Sequence, residues 1–335
     1  MKRFVLLASA ALVLAAIALY YSAPSLFKEP LLALNRSLSG LEEKTIDAAM
    51  HTIHYLDSGT PATSAGPGGD DTPLVLLHGI FAEKDHWVDF ARPLTNTYRV
   101  IAPDLPGFGA STRHDNQPYD YAAHVIRLGA FMDALGIQRA HLAGNSMGGT
   151  IAALYAIEHP ERVASVAFIG APHGIRSPQQ STMDRLIDAG QRPLVAHDAK
   201  AFDAMMALVF EKRPFLPYPI LAATAQEALR NAASNERLWD AQLKDRYLLD
   251  QLLAKLQQAP ALVLWGASDR VFDVSGAQTL QSHLPQARVD VLPGIGHLPM
   301  MEAPGDTAQR YADFLSALKG GTKTTHPVKT SKNSF

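Results

Sequence analysis

The pattern of apolar and polar positions divides the chain into four stretches. Residues 4–21 are almost wholly apolar behind a short basic start, Met1-Lys2-Arg3, and no charge follows until Lys28. Eighteen helical residues reach about 27 Å, close to the thickness of a bilayer's hydrocarbon core. Two readings compete, a cleaved signal peptide and an uncleaved anchor. The small-x-small site Ala8-Ser9-Ala10 lies inside the apolar run, too early to cut. A cut after Ala23 would put Tyr21 three residues back and Pro24 just beyond. The pattern therefore favours a membrane anchor over residues 1–23. Lys2 and Arg3 would keep the N-terminus cytoplasmic and place the rest of the chain on the other side, the periplasm of a Gram-negative cell. Residues 24–43 follow as a juxtamembrane segment. Within it, residues 30–38 are predicted to form a short helix with Leu31, Leu34 and Leu38 on one face. That face lies either on the membrane surface or, by default, on the domain.

Short apolar runs then alternate with helical patterns from residue 44 to 173. Residues 44–57 read as two strands and 58–72 as an exposed loop of Gly, Pro, Ser, Thr and Asp. Strands follow at 74–77, 98–102, 139–143 and 163–169, with helices at 119–135, stopped by Gly136, and at 149–156. This alternation predicts a mostly parallel sheet covered on both faces. Residues 174–253 break the rhythm: they show helical stretches, clearest at 198–210 and 222–243, and no convincing strand. They read as a helical cap inserted into an α/β core whose second part, 254–318, holds strands at 261–265 and 288–292 and a helix at 307–318. Residues 319–335 are rich in Lys, Thr and Ser, lack an apolar face, and are expected to be disordered.

Composition narrows the class. The 335 residues carry a formal net charge of −2 and no cysteine. That suits one large α/β domain with an insertion, gives no basic footprint for nucleic acid, and rules out disulfides, a thiolate nucleophile and Cys-ligated metal.

Candidate chemistry centres on Gly144-Asn145-Ser146-Met147-Gly148, between the strand at 139–143 and the small-residue helix after it. A serine on a strand–turn–helix with Gly two residues either side is a nucleophile elbow. The turn forces strained backbone angles on the serine, and the new helix aims its free N–H groups at the place where an oxyanion would form. A serine needs a base, and the base needs an orienting acid. Asp269 follows the strand at 261–265, and His297 follows the strand at 288–292, both at the sheet end where ligands gather. Asp269 has a rival reading as a helix cap, with Asp273 then the acid. His78 and His141 read as buried structural histidines. His173, where the cap leaves the sheet, either lines the site or packs a loop. Met205, Met206, Leu208, Val209 and Phe210 are either an acyl-facing cap surface or simply the buried face that any cap helix needs.

From about residue 44 to 318 the chain resembles the α/β-hydrolase-fold serine hydrolases. The resemblance rests on the elbow, on His78-Gly79, on Asp104-Leu105-Pro106-Gly107-Phe108-Gly109, and on Gly296-His297 with Pro299, Glu302 and Pro304. Within that superfamily, the run from Gly79 to Trp87 and Gly144-Asn145-Ser146-Met147-Gly148-Gly149 resemble bacterial family V lipases and membrane-anchored monoacylglycerol lipases. The resemblance implies carboxylic ester hydrolysis, a lipid or small-molecule ester substrate, a cap over an acyl pocket, no cofactor and no metal. It makes Ser146 the nucleophile, His297 the general base and then acid, and Asp269 the acid that holds the imidazole. The oxyanion donors would be the backbone N–H groups of Ile80 and Met147. Phe81, His173, Met205, Met206 and Phe210 are the candidate substrate contacts. Haloalkane dehalogenases and epoxide hydrolases of this fold use an Asp nucleophile, whereas position 146 is Ser. Carbon–carbon hydrolases of ring-cleavage products share the elbow, but an aromatic residue is expected after their catalytic histidine, and Leu298 stands there. A cofactor-free perhydrolase and a ligand receptor on the same fold are the remaining alternatives.

Overall fold

The computed structural model describes residues 2–61 and 71–320. The loop expected at 58–72 lies largely, and the tail from 321 onward wholly, outside the described residues. Lys319 and Gly320, expected in that tail, instead complete the last helix, where Lys319 Nζ sits 4.6 Å over the Tyr98 ring.

The strands are β1 (Glu42–Ala48), β2 (His51–Asp57), β3 (Leu74–Leu77), β4 (Val100–Pro103), β5 (Ala140–Ser146), β6 (Val163–Pro172), β7 (Ala261–Gly266) and β8 (Arg288–Leu292). They form one sheet in the order β1-β2-β4-β3-β5-β6-β7-β8. The β1–β2 hairpin and the β2–β4 pair are antiparallel, and every pair from β4 to β8 is parallel. Helices α1 (Lys2–Ser22) and α2 (Ser25–Leu38) precede the sheet, and α3 (Val88–Ala91), α4 (Tyr121–Ala134) and α5 (Met147–Glu158) lie within its first half. Between β6 and β7 come α6 (Thr182–Asp188), α7 (Ala199–Val209), α8 (Tyr218–Arg230), α9 (Ala232–Leu243) and α10 (Leu248–Leu252), with no strand among the described residues there. Helices α11 (Gly276–His283), α12 (Pro299–Glu302) and α13 (Pro304–Gly320) close the chain.

Central strands are apolar at successive positions because both faces of the sheet are covered. Leu74, Leu76, Val100, Leu262 and Leu264 join one core with Phe90, Tyr311, Phe314 and Leu315 from α3 and α13. Val75, Leu77, Ile101, Leu142, Phe168 and Trp265 join the other, with Val125, Ile151, Tyr155 and Leu280 from α4, α5 and α11. The two cores hold β5, β7 and β8 in place, and the loops at their C-terminal ends carry the candidate chemistry.

Several element boundaries differ from expectation, most clearly among the helices. Helix α2 starts at Ser25 rather than near residue 30, with Pro30 inside it. The helical stretch at 222–243 is two helices, because Asn231 closes α8 and opens α9. The N-terminal apolar run forms α1, but no single helix among the described residues is long and apolar enough to cross a membrane. Ala11–Ser22 and Ser25–Leu38 pass that test only together, as a pair bent by 94°.

Candidate active site

Strand β5 delivers Ser146 into the turn, and α5 begins at the next residue. Ser146 has φ 51° and ψ −118°, a left-handed conformation that costs a side-chain-bearing residue about 1–3 kcal/mol. The turn closes only because its flanks carry no side chains. A Cβ on Gly148 would lie 2.1 Å from the Leu77 carbonyl oxygen, and one on Gly144 would lie 2.3 Å from the Gly148 carbonyl carbon.

The loops after β7 and β8 bring Asp269 and His297 together. His297 Nδ1 lies 2.8 Å from Asp269 Oδ2. The other carboxylate oxygen accepts the amides of Val271, at 2.8 Å, and Phe272, at 3.0 Å. Both oxygens are thus engaged, which fixes the carboxylate against the imidazole. Asp273 is occupied elsewhere: its Oδ1 accepts the Ser275 amide at 2.9 Å, just ahead of α11. Asp269 and His297 are buried, as is Ser146.

The backbone around His297 is tied down from three directions. Its amide donates to the Val209 carbonyl at the end of α7, at 3.0 Å. Its carbonyl accepts from Asn145 Nδ2, at 3.0 Å, and the same amide group donates to Ile169 O at 2.9 Å. Glu302 accepts the Gly296 amide at 3.0 Å and the Lys212 amide at 2.8 Å. Asn145 therefore couples the elbow to the histidine loop, a role that its place within the turn motif does not announce.

Beside the elbow runs His78-Gly79-Ile80-Phe81. His78 Nδ1 lies 2.7 Å from the Gly79 carbonyl, and Nε2 accepts the Leu105 amide at 2.9 Å. These two bonds require the neutral Nδ1–H tautomer, and burial lowers the imidazole's pKa in the same sense. A Cβ on Gly79 would sit 3.3 Å from Ser146 Cβ, so this loop lies against the elbow serine. Phe81 is held at φ 56°. The amides of Ile80 and Met147 find no backbone acceptor among the described residues.

Of the remaining histidines, His141 Nδ1 pairs with Ser165 Oγ at 2.8 Å, inside the sheet. His173 Nδ1 lies 2.7 Å from the Tyr121 hydroxyl, and burial pushes its pKa down to about 4. Its amide donates to the Ser146 carbonyl at 3.1 Å. Phe272 packs between the two site imidazoles, with ring centroids 5.8 Å from His173 and 5.4 Å from His297.

Two cavities meet at Ser146. The larger, about 450 Å³, is bordered by Ser146 and His297, by Phe81, Met205, Met206 and Phe210, and by Leu31, Leu34 and Leu38 of α2. The smaller is bordered by Ser146, Ile80, Met147, His173, Trp239 and Gln242. His173 thus belongs to a different chamber from the other four candidate contacts. The α2 face was visible in the sequence as 31, 34 and 38, yet nothing local says that it walls a cavity. Among the described residues, no group of three His, Asp or Glu is placed to hold a metal ion.

Sheet order, elbow and the Asp269–His297 pair define one class of protein. Residues 72–304 match the alpha/beta hydrolase fold family, and the chain belongs to it. It is 30% identical over 268 residues to a monoacylglycerol lipase, abhd6-B, of Xenopus laevis, covering 77% of this chain and 79% of that one. It is also 30% identical over 300 residues to Lipase 3 of Moraxella sp. strain TA144, covering 87% and 90%. A solved structure described as a membrane phospholipase A, a bacterial virulence factor, superposes with a TM-score of 0.83 at 37% identity, over 95% of this chain and 99% of that one. The protein is accordingly a serine hydrolase that cleaves carboxylic esters.

Proposed function

We propose that this hydrolase is a membrane-anchored lipase that cleaves monoacylglycerols or related lipid esters through an acyl-enzyme on Ser146. The observation that carries the reading is the 2.8 Å Asp269–His297 pair held beside an elbow serine that borders a large apolar cavity. His297 takes the Ser146 hydroxyl proton as Oγ attacks the ester carbonyl carbon. The developing oxyanion lies between the amides of Ile80 and Met147, each such preset donor contributing about 3–4 kcal/mol in the transition state. His297 then passes its proton to the departing alkoxide, which leaves as the alcohol. Water, deprotonated in turn by His297, releases the fatty acid and restores Ser146. Asp269 fixes the imidazole tautomer and stabilises its charged form. Phe81, Met205, Met206 and Phe210 contact the acyl chain, and His173 lies on the alcohol side. Residues 174–253 then act as a cap inserted between core segments 44–173 and 254–318. Helix α1 serves as the anchor, with Ser146 on the non-cytoplasmic side. The exposed Phe4, Leu7 and Leu12 give it the apolar surface that a bilayer covers.

Ser146→Ala, His297→Ala and Asp269→Asn are each expected to lower kcat by about 10³-fold or more, with losses that do not add because the three act as a unit. Labelling by a fluorophosphonate should disappear in Ser146→Ala. Full labelling of that variant would place the nucleophile elsewhere. An inactive Asp273→Asn beside an active Asp269→Asn would move the acid to Asp273.

A further inference from the structure

Helix α2 sits on the domain with its cations inward. Arg36 is buried against Asp85, and Lys28 is partly buried between Glu83 and Glu227. Leu32 is buried beneath the helix as well, but Leu26, Leu34 and Leu38 are 61%, 57% and 69% exposed. Pro30 and Ala33 are exposed on the same side, and these five positions carry no charge. Glu29, at the edge of that side, is bonded to Arg36 at 2.6 Å. A helix lying between a domain and water does the reverse, burying its apolar stripe and turning its charges out. An exposed apolar face beside a cavity marks contact with something other than water.

The neighbours of this face say what covers it. Residues Ala11–Ser22 of α1 meet α2 at 94°. An apolar helix along the bilayer normal, followed by a right-angle bend, leaves the next helix flat in the plane of the membrane surface. Tyr20, Tyr21 and Tyr218 gather at that corner, with ring centroids 5.2 Å apart for Tyr20 and Tyr21 and 4.9 Å apart for Tyr21 and Tyr218. Tyrosines concentrate at the level of lipid headgroups, where the ring is covered and the hydroxyl stays wet. Phe215, on the connection before α8, is almost wholly exposed and borders the large cavity. Leu34 and Leu38 border it too, so the cavity reaches the surface at this face.

We propose that the outer face of α2, together with Phe215, lies in the headgroup region of the bilayer as a second membrane contact beside α1. The cavity then opens into the leaflet rather than into water, and a lipid ester reaches Ser146 without leaving the bilayer. The inference goes beyond the α1 anchor of the proposed function but takes its orientation from it, and its test separates the two.

The chain has no cysteine, so each single-cysteine variant carries one nitroxide label. Full-length Val13→Cys, Leu26→Cys, Ala33→Cys and Phe215→Cys are labelled and reconstituted into phospholipid vesicles. Each label is then read by its accessibility to oxygen, which concentrates in lipid, and to a nickel chelate, which stays in water. Leu26 and Ala33 do not border the cavity, so labels there report the outer face itself. Labels at 26, 33 and 215 should favour oxygen over the chelate. A label at any of the three that favours the chelate overturns the proposal, and Val13 then decides separately whether the anchor stands. Labels at 26 and 33 shielded from both probes, with spin–spin broadening that grows with the protein-to-lipid ratio, would mean that a second copy covers the face. That result also overturns the proposal. Hydrolysis of a short soluble ester by the wild type tests the ester-hydrolase reading independently of either outcome.

Discussion

Single residues in this chain set limits that no secondary-structure pattern shows. His124 is fully buried in α4, with both ring nitrogens unpartnered among the described residues. Burial, reinforced by the Arg127 charge, pushes its pKa down to about 3 from 6.5. The folded state therefore holds the neutral ring, and its contribution to stability is complete above pH 6.5. As pH falls below 6.5 the unfolded chain binds a proton that the folded chain refuses, so stability is lost continuously towards pH 3. At about 1.4 kcal/mol per pH unit, His124 removes about 2 kcal/mol between pH 6.5 and 5. Glu43 and Asp57, whose pKa values are lowered from 4.5 and 3.8, act only below that window. Thermal unfolding at pH 7 and pH 5 checks the point: His124→Leu should show a smaller drop in Tm than wild type, and an equal drop would acquit the residue. The site itself was partly legible at this scale. Ser146, Asp269 and His297 stand past strand ends in the order expected when an elbow serine belongs to this fold. Asn145 was not, because its partners Ile169 and His297 lie 24 and 152 positions away, and a bond across that separation leaves no local trace.

Helix α2 shows how an element acquires a role that its own pattern cannot state. Its Leu31, Leu34 and Leu38 wall the large cavity, while a charged face binds it to the domain. Arg36 is 4% exposed and forks onto Asp85 through bonds of 2.6 and 2.7 Å, reaching Glu29 and Glu43 as well. Lys28 lies 3.5 Å from Glu83, beside the Ile80 loop, and 3.1 Å from Glu227 on α8. Arg36→Met would leave the buried Asp85 carboxylate with Lys84, at 3.7 Å, as its remaining cation. Removing one partner of a buried pair costs about 3–5 kcal/mol, so Tm should fall by several degrees. Arg36→Lys should recover little, because an ammonium cannot make the forked contact. A Tm within a degree of wild type would show that α2 is held by apolar packing alone. Strand and core-helix positions were legible because a doubly covered sheet writes its burial into short apolar runs. The start of α2 was not, since Pro30 reads as a helix beginning, and the break at Asn231 was hidden within a continuous helical composition.

At the scale of the whole molecule, the anchor reading turns on where α1 leaves the domain. Tyr21 packs on Tyr218 at 4.9 Å between ring centroids, and the Tyr218 hydroxyl donates to the Tyr21 carbonyl at 3.4 Å. Tyr218 opens α8, and Ile220, Leu221 and Thr224 of that helix border the large cavity. The apolar helix therefore departs from the wall of the proposed acyl site. Phe215, 91% exposed, borders that cavity on the same connection. An anchor so placed would hold the cavity near the lipid and raise the local substrate concentration, without touching the chemistry proposed for Ser146, His297 and Asp269. Arg36 and Lys28 belong to α2, so deletion of residues 1–23 leaves the charged clamp and the cavity wall in place. The truncated protein should consequently turn over a short soluble ester at close to the full-length rate, while its hydrolysis of monoacylglycerol dispersed in vesicles falls about tenfold. Equal ratios of the two activities in truncated and full-length protein would leave the hydrolase intact and remove the anchor from its function. Orientation is checked separately, because basic residues precede the apolar run and favour a cytoplasmic N-terminus. A reporter fused after Phe335 should then read as non-cytoplasmic, and a cytoplasmic signal would reverse the topology.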